Sequence, residues 1–216
     1  MRFTILTLFP KAFDSYLGES MMARAQKNKL INIEIIDIRH STSDKHHTAD
    51  SKPYGGGPGM VMRAEPILKA FGAIKKKSKK IRIIITSAAG KQFTNTSARA
   101  YTKKYDHLVI IAGHYEGIDE RVKKALKAEE VSIGDYVLTG GELPALVMID
   151  AISRQIHGVL GSAESLEESR LGAGVSTYTR PEVFVYKGKK LKVPQELVSG
   201  NHAIIEVWRK KHQKKK

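Results

Sequence analysis

Hydrophobic positions along the chain switch between a period of two and a period near 3.6, and the switches fall at short intervals. Phe3 to Leu8 reads as a first buried strand stopped by Phe9-Pro10, after which Ala12, Phe13, Tyr16 and Leu17 recur at helical spacing. Met21, Met22 and Ala25 continue as a second helical piece. Residues 31 to 38, INIEIIDI, form the next strand, with Ile31, Ile33 and Ile35 on its covered side and Ile36 a further candidate for it. Ile67, Leu68 and Phe71 predict a helix over 63–74, and Ile81 to Ile85 a β-branched strand ending in Thr86-Ser87-Ala88-Ala89-Gly90. Thr94 or Asn95 caps a helix carrying Ala98 and Tyr101, and residues 107–112 form another strand. A helix follows GIDE. An apolar strand through Ile133, Tyr136, Val137 and Leu138 then leads into a helix from Glu142 to about His157, apolar through Leu143, Leu146, Val147, Ile149 and Ile152. This alternation is the signature of an α/β sheet.

Two of the predicted strands end in glycine. Gly140-Gly141 follows Leu138, and Gly113 follows Leu108 to Ala112 with a second turn at Gly117. Glycine lets backbone N–H groups approach a ligand because no Cβ intervenes, and Glu142 and Pro144 suit the first turn of a helix. Two such strand ends predict one shared small-molecule pocket, since open α/β sheets bind ligands there. Residues 39–62 interrupt the pattern with a long polar and then glycine-rich loop, of the length that usually forms a lid or a binding loop. Its GGGPG stretch lacks the GK[ST] ending of a nucleotide loop and does not fit GxGxxG. It is either a tight turn or a flap over substrate. His46 and His47 are adjacent without a third partner and do not make a metal site.

From 161 to 176 the composition shifts to Gly, Ser and Glu, which reads as a linker between a domain over 1–160 and a small C-terminal domain over 177–216. In the latter, Val183 to Tyr186 and Leu191 to Val193 flank a Lys-Gly-Lys turn as a hairpin, and Ile204, Ile205, Val207 and Trp208 mark a helix.

At 216 residues, 41% apolar, the chain is long enough to bury a full core. It has no cysteine, which removes disulfides and thiolate metal sites and points to a reducing compartment. The opening MRFTILTLFP is too short and mixed for a signal peptide or membrane span, so a soluble, cytoplasmic protein is expected. A formal charge of +15, from 37 Lys and Arg against 22 Asp and Glu, matches either a polyanionic partner or a well-solvated surface.

Six colinear segments carry more than composition does: LFP at 8–10, KPYGGGPGM at 52–60, GHYEGIDER at 113–121, SIGDYVLTGGELPA at 132–145, YTRPEV at 178–183 and LVSGNHAII at 197–205. With these the chain resembles the bacterial tRNA (guanine-37-N1)-methyltransferases, the TrmD family of the SPOUT class, over nearly its whole length. The resemblance implies a mostly parallel sheet whose C-terminal part forms a trefoil knot, followed by a small, mainly helical domain that grips the tRNA anticodon arm. It implies an obligate homodimer whose active sites are completed by the partner subunit, and S-adenosylmethionine bound in the knot loops. The cofactor-binding residues so implied are Thr86, Ser87, Gly113, Tyr115, Glu116, Gly117, Ile133, Gly134, Asp135, Tyr136, Val137, Leu138, Gly140, Gly141 and Pro144. Guanine N1 carries a proton, so accepting a methyl group requires a base there and a cation near O6. The resemblance assigns the cation to Arg154, whose ordinary reading is an i, i+4 pair with Asp150. It assigns the base to Glu168, where the family has aspartate, with Glu164 and Glu167 as neighbours of the same chemistry. A magnesium ion is compatible with converging phosphates and carboxylates, but no ligand set is legible. The rival functions are a related knotted RNA methyltransferase with another target, or an RNA-binding homologue without catalysis.

Overall fold

Five parallel strands form the central sheet, in the order β2-β1-β6-β5-β7, from β1 (Arg2–Thr7), β2 (Asn32–Asp37), β5 (Ile81–Gln92), β6 (His107–Ile111) and β7 (Glu129–Ser132). The structure is a computed structural model that describes residues 1–75, 78–161 and 175–212. Successive side chains on the inner strands enter two separate cores. Phe3, Ile5, Ile84, Leu108 and Ile110 face one; Leu6, Ile85, Val109 and Ile111 face the other. The first face is covered by α1 (Asp14–Leu17), α2 (Ser20–Lys27), α4 (Asn95–Lys104) and α6 (Glu142–Ser153), and the second by α3 (Ala64–Ala73) and α5 (Glu120–Leu126). Burial on both faces is why β6 is apolar from Leu108 to Ile111, and why β1 carries Phe3, Ile5 and Leu6 beside the fully buried Thr4 and Thr7. Thr94, of the two candidates, caps α4 by accepting from the Ser97 N–H.

The edges are fixed by charge. Glu129 of β7 accepts 2.8 Å from Arg82 Nε and 3.1 Å from the Tyr101 hydroxyl, tying β7 to β5 and α4. Burial, with Glu129 beside it, pushes the Tyr101 hydroxyl well above its ordinary range, so it stays a donor.

Three sequence expectations are corrected. The strand expected through Ile133, Tyr136, Val137 and Leu138 is instead β7 at Glu129–Ser132, and 133–139 is an extended loop with Val137 83% exposed. Those apolar residues leave the sheet to face a cavity. β5 does not stop at Ile85: it runs to Gln92, and Thr86 and Lys91 both oppose Val131, so residues 87–90 bulge out of the ladder. Gly90 is required there, because a Cβ would stand 2.6 Å from the Glu130 carbonyl carbon. α6 ends at Ser153, short of His157, and its Leu143 and Val147 are exposed while Pro144, Ala145, Met148 and Ile149 are buried.

The loop over 39–62 contains a two-residue ladder, β3 (Asp50–Ser51) against β4 (Val61–Met62), with GGGPG at its tip. The chain divides into two compact units, Met1–Gly161 and Ser162–Lys216. The described part of the second holds an antiparallel hairpin, β8 (Val183–Tyr186) and β9 (Lys189–Lys192), then α7 (Gln195–Val198) and α8 (His202–Lys211). Asn201 caps α8 through the N–H groups of Ala203 and Ile204. Trp208 is buried edge-on to Tyr178 and stacked on His212.

Candidate active site

The carboxyl ends of β5, β6 and β7 open onto one cavity of about 380 Å³. Its central joint is made by three small residues. The Gly113 N–H donates to Thr86 Oγ1 at 3.1 Å, and the Gly113 carbonyl accepts from the Gly141 N–H at 2.6 Å. A side chain at Gly141 would put its Cβ 2.6 Å from Gly113 N and closer still to Thr86 Oγ1, so only glycine permits this crossing. An isolated bridge between His114 and Gly140 extends the contact by one residue.

Thr86, Ser87, Gly113, Tyr115, Glu116, Gly117, Ile133, Tyr136, Val137, Leu138, Gly140, Gly141 and Pro144 all line this cavity. Gly134 and Asp135 belong to the same segment but not to the lining. Gly134 instead makes room for Tyr136, since a Cβ there would lie 2.7 Å from the phenol ring carbon Cζ. Tyr115 adopts φ of 59° and Gly117 φ of 125°, so the turn between them is left-handed at both ends. A non-glycine residue in that region carries a local cost that surrounding structure must offset. Here the Glu116 N–H donates to the Met60 carbonyl at 3.0 Å and the Met62 N–H to the Gly117 carbonyl at 2.9 Å. Those bonds stitch the glycine-rich loop to the cavity rim, where Gly59 leaves space for the Glu116 side chain.

Sequence reasoning missed a buried carboxylate behind the Gly140 wall. Glu142 is only 8% exposed; it accepts 2.9 Å from Thr7 Oγ1 and lies 3.6 Å from His114 Nδ1. Thr7 Oγ1 in turn accepts from the Phe9 N–H at 2.9 Å, and the Phe9 and His114 rings stand 4.6 Å apart. A glutamate in a helix's first turn ordinarily faces solvent, so nothing in its local sequence signals burial. On the outer rim, Asp119 caps α5 and is drawn down to about 2 by hydrogen bonding to the Arg121 guanidinium and backbone.

Arg154 is the C-cap of α6 and does not line that cavity in the same chain. It lies beside a separate recess of about 470 Å³ with Tyr16, Met21, Asp150 and Leu160. The Tyr16 hydroxyl donates to the Asp150 carboxylate, a bond that, with burial, pushes the phenol up to about 12. Glu168, with Glu164 and Glu167, lies outside the described residues, as does most of the 161–176 segment. Among the described residues no three His, Asp or Glu side chains are grouped to hold a metal, and no helix is long and apolar enough to cross a membrane.

The fit of a methyl donor can be judged from the cavity itself. Its volume is in the range of small-molecule sites. Ile133, Leu138 and Pro144 give it an apolar wall of the kind a purine ring needs, and Glu116 brings a carboxylate to its lining of the kind an ammonium group needs. This lining suits S-adenosylmethionine.

The family model for tRNA (Guanine-1)-methyltransferase, TrmD, matches residues 1–216. Similar curated proteins are each named tRNA (guanine-N(1)-)-methyltransferase. The protein of Carboxydothermus hydrogenoformans is 49% identical over 214 residues, covering 98% of this chain and 82% of the relative. That of Ruminiclostridium cellulolyticum is 46% identical, covering 97% and 89%. That of Geobacter sp. strain M21 is also 46% identical, covering 100% and 86%. With the six colinear segments now placed on a parallel sheet, its cavity and the unit that follows, this chain belongs to the TrmD family of tRNA (guanine-1)-methyltransferases.

Proposed function

We propose that this chain is a cytoplasmic enzyme that transfers a methyl group from S-adenosylmethionine to N1 of guanosine at position 37 of tRNA, next to the anticodon. The observation that carries the reading is the convergence of the 86–90, 113–117 and 133–144 segments on one cavity behind the Gly113–Gly141 crossing. The return of 133–141 from β7 to the Gly113 turn, sealed by the His114–Gly140 bridge, supports a knotted path for this part of the chain.

S-adenosylmethionine supplies an electrophilic methyl group. Around it the chain's own residues bind and orient: Gly140 and Gly141 permit the close chain crossing that shapes the cavity wall, and Tyr136, Val137 and Leu138 line the cavity and shield it from water. Guanine N1 gains a lone pair for attack only as its proton leaves, and the Glu168 carboxylate takes that proton. Charge then develops on O6, where the Arg154 guanidinium donates hydrogen bonds and stabilises it.

A second copy of the chain completes this arrangement. Arg154 faces its own recess rather than the cavity, so it reaches a cofactor only from a partner subunit. Leu143 and Val147, an exposed apolar i, i+4 pair on α6, support a homodimer that covers them. The Ser162–Lys216 unit grips the tRNA. From 175 to 216 it has eleven Lys and Arg against three Glu, more than half of the chain's net +15.

The test is to incubate purified protein with S-adenosylmethionine and unmodified tRNA, then map the product by nucleoside analysis. The expected product is 1-methylguanosine at position 37, lost in Arg154→Ala and Glu168→Ala while cofactor affinity persists. A methyl group elsewhere, or full activity in Glu168→Ala, refutes the assignment of target or base respectively.

A further inference from the structure

The hairpin of the second unit presents an unusual surface. In the β8–β9 register, Phe184 opposes Leu191 and Tyr186 opposes Lys189, so these four side chains share one face; Val183, Val185, Lys190 and Lys192 share the other. Phe184 is 55% exposed, Tyr186 57% and Leu191 54%. Two strands alone cannot cover a face, and apolar side chains of this size left open mark an interaction site.

The surroundings of that face select the partner. Lys189 stands on that face, Lys187 sits in its turn with Nζ 5.5 Å from the Tyr186 ring centroid, and Lys190 and Lys192 charge the reverse side. Phe184 and Tyr186, two positions apart, stand roughly 6.7 Å apart along the strand, enough for a flat base to lie against either ring. A second copy of this hairpin would set lysine against lysine, which opposes self-association. A polyanion with exposed planar groups meets both requirements at once, with the cations near phosphates and the rings against bases.

We propose that the Phe184–Tyr186–Leu191 face of the hairpin is a base-stacking platform for unpaired nucleotides of the RNA substrate, held at its rim by Lys187 and Lys189. It rests on the reading of the chain as a tRNA-modifying enzyme and names the surface that meets bases rather than phosphates. The lysines supply affinity that falls with salt; the rings supply affinity that does not.

The experiment measures binding of fluorescently labelled, unmodified tRNA to the full-length protein by anisotropy across a salt series. Phe184→Ala with Tyr186→Ala is expected to weaken binding about tenfold or more, with an unchanged salt slope and unchanged affinity for S-adenosylmethionine. Phe184→Leu with Tyr186→Leu keeps apolar area but no ring and is expected to be as weak. Replacing the four hairpin lysines by glutamine is expected to lower the salt slope by about 0.7 for each phosphate left without a cation. Unchanged binding in the alanine variant overturns the platform. So does wild-type binding by the leucine variant, equal ring-dependent binding to anionic phosphatidylserine vesicles, or a change of oligomeric state in the ring variants. Ring-dependent RNA binding without methylation supports the platform while removing the enzymatic reading; methylation without ring dependence does the reverse.

Discussion

Replacing Gly141 by alanine tests how the site is built. The added Cβ would stand 2.6 Å from Gly113 N and 3.0 Å from Gly113 O, where ordinary contact begins near 3.4 Å. Relief requires the two segments to part by about an ångström, and overpacking of this kind costs about 1–3 kcal/mol. The same displacement breaks the 2.6 Å Gly141–Gly113 hydrogen bond and disturbs the 3.1 Å bond from Gly113 to Thr86, at about 1 kcal/mol each. The total is about 3–5 kcal/mol, a large share of a domain's net stability. It also moves one wall of the cavity by a distance that costs ~10²-fold when binding geometry is critical. The assay is paired: urea unfolding for stability, and calorimetric titration with S-adenosylmethionine for the folded fraction. Gly72→Ala in α3 is the control, because its Cβ meets nothing within 4 Å and a helical alanine should stabilise by about 0.5–1 kcal/mol. Wild-type stability and cofactor affinity in Gly141→Ala would refute the claim that this crossing needs a missing side chain.

Two further outcomes follow from charge. Thr7→Val removes the hydroxyl that Glu142 accepts from and strands a buried carboxylate, so urea unfolding should show a loss of about 1–3 kcal/mol, whereas Glu142→Gln, which keeps an acceptor, should lose less. Asp119 has its carboxyl lowered from 3.8 to about 2 in the folded chain, so its contribution is fully present above about pH 5 and fades as pH falls through 4 toward 2. The difference in thermal midpoint between the native chain and Asp119→Asn should therefore be constant from pH 5 to 7 and shrink below 4. A difference that grows on acidification would contradict the sign.

Much of the site was legible because its parts are local. A glycine pair, a strand that ends in glycine and a proline in a helix's first turn are each written in consecutive residues, and Gly113, Gly140, Gly141 and Pro144 do line one cavity. The misplaced strand has the same origin. Ile133, Tyr136, Val137 and Leu138 are apolar, and apolarity cannot say whether a residue is covered by a sheet neighbour or turned toward a cavity. Leu143 and Val147 repeat the ambiguity on α6, where an apolar side chain exposed in one chain reads the same as one in the core.

Contacts between distant residues were a different matter. Glu142 meets Thr7 across 135 positions, and Gly59 makes room for Glu116. No period or spacing encodes either pairing.

What the sequence determined alone is the alternation of strands and helices, the glycine turns at 113 and 140–141 and the basic character of the last forty residues, since each depends on side-chain chemistry at neighbouring positions. What only the tertiary structure decided is which strands lie side by side, that Arg154 lines a recess apart from the cavity in its own chain, and that a first-turn glutamate is buried. Those depend on how the chain returns upon itself, and packing settles that over the whole sheet at once.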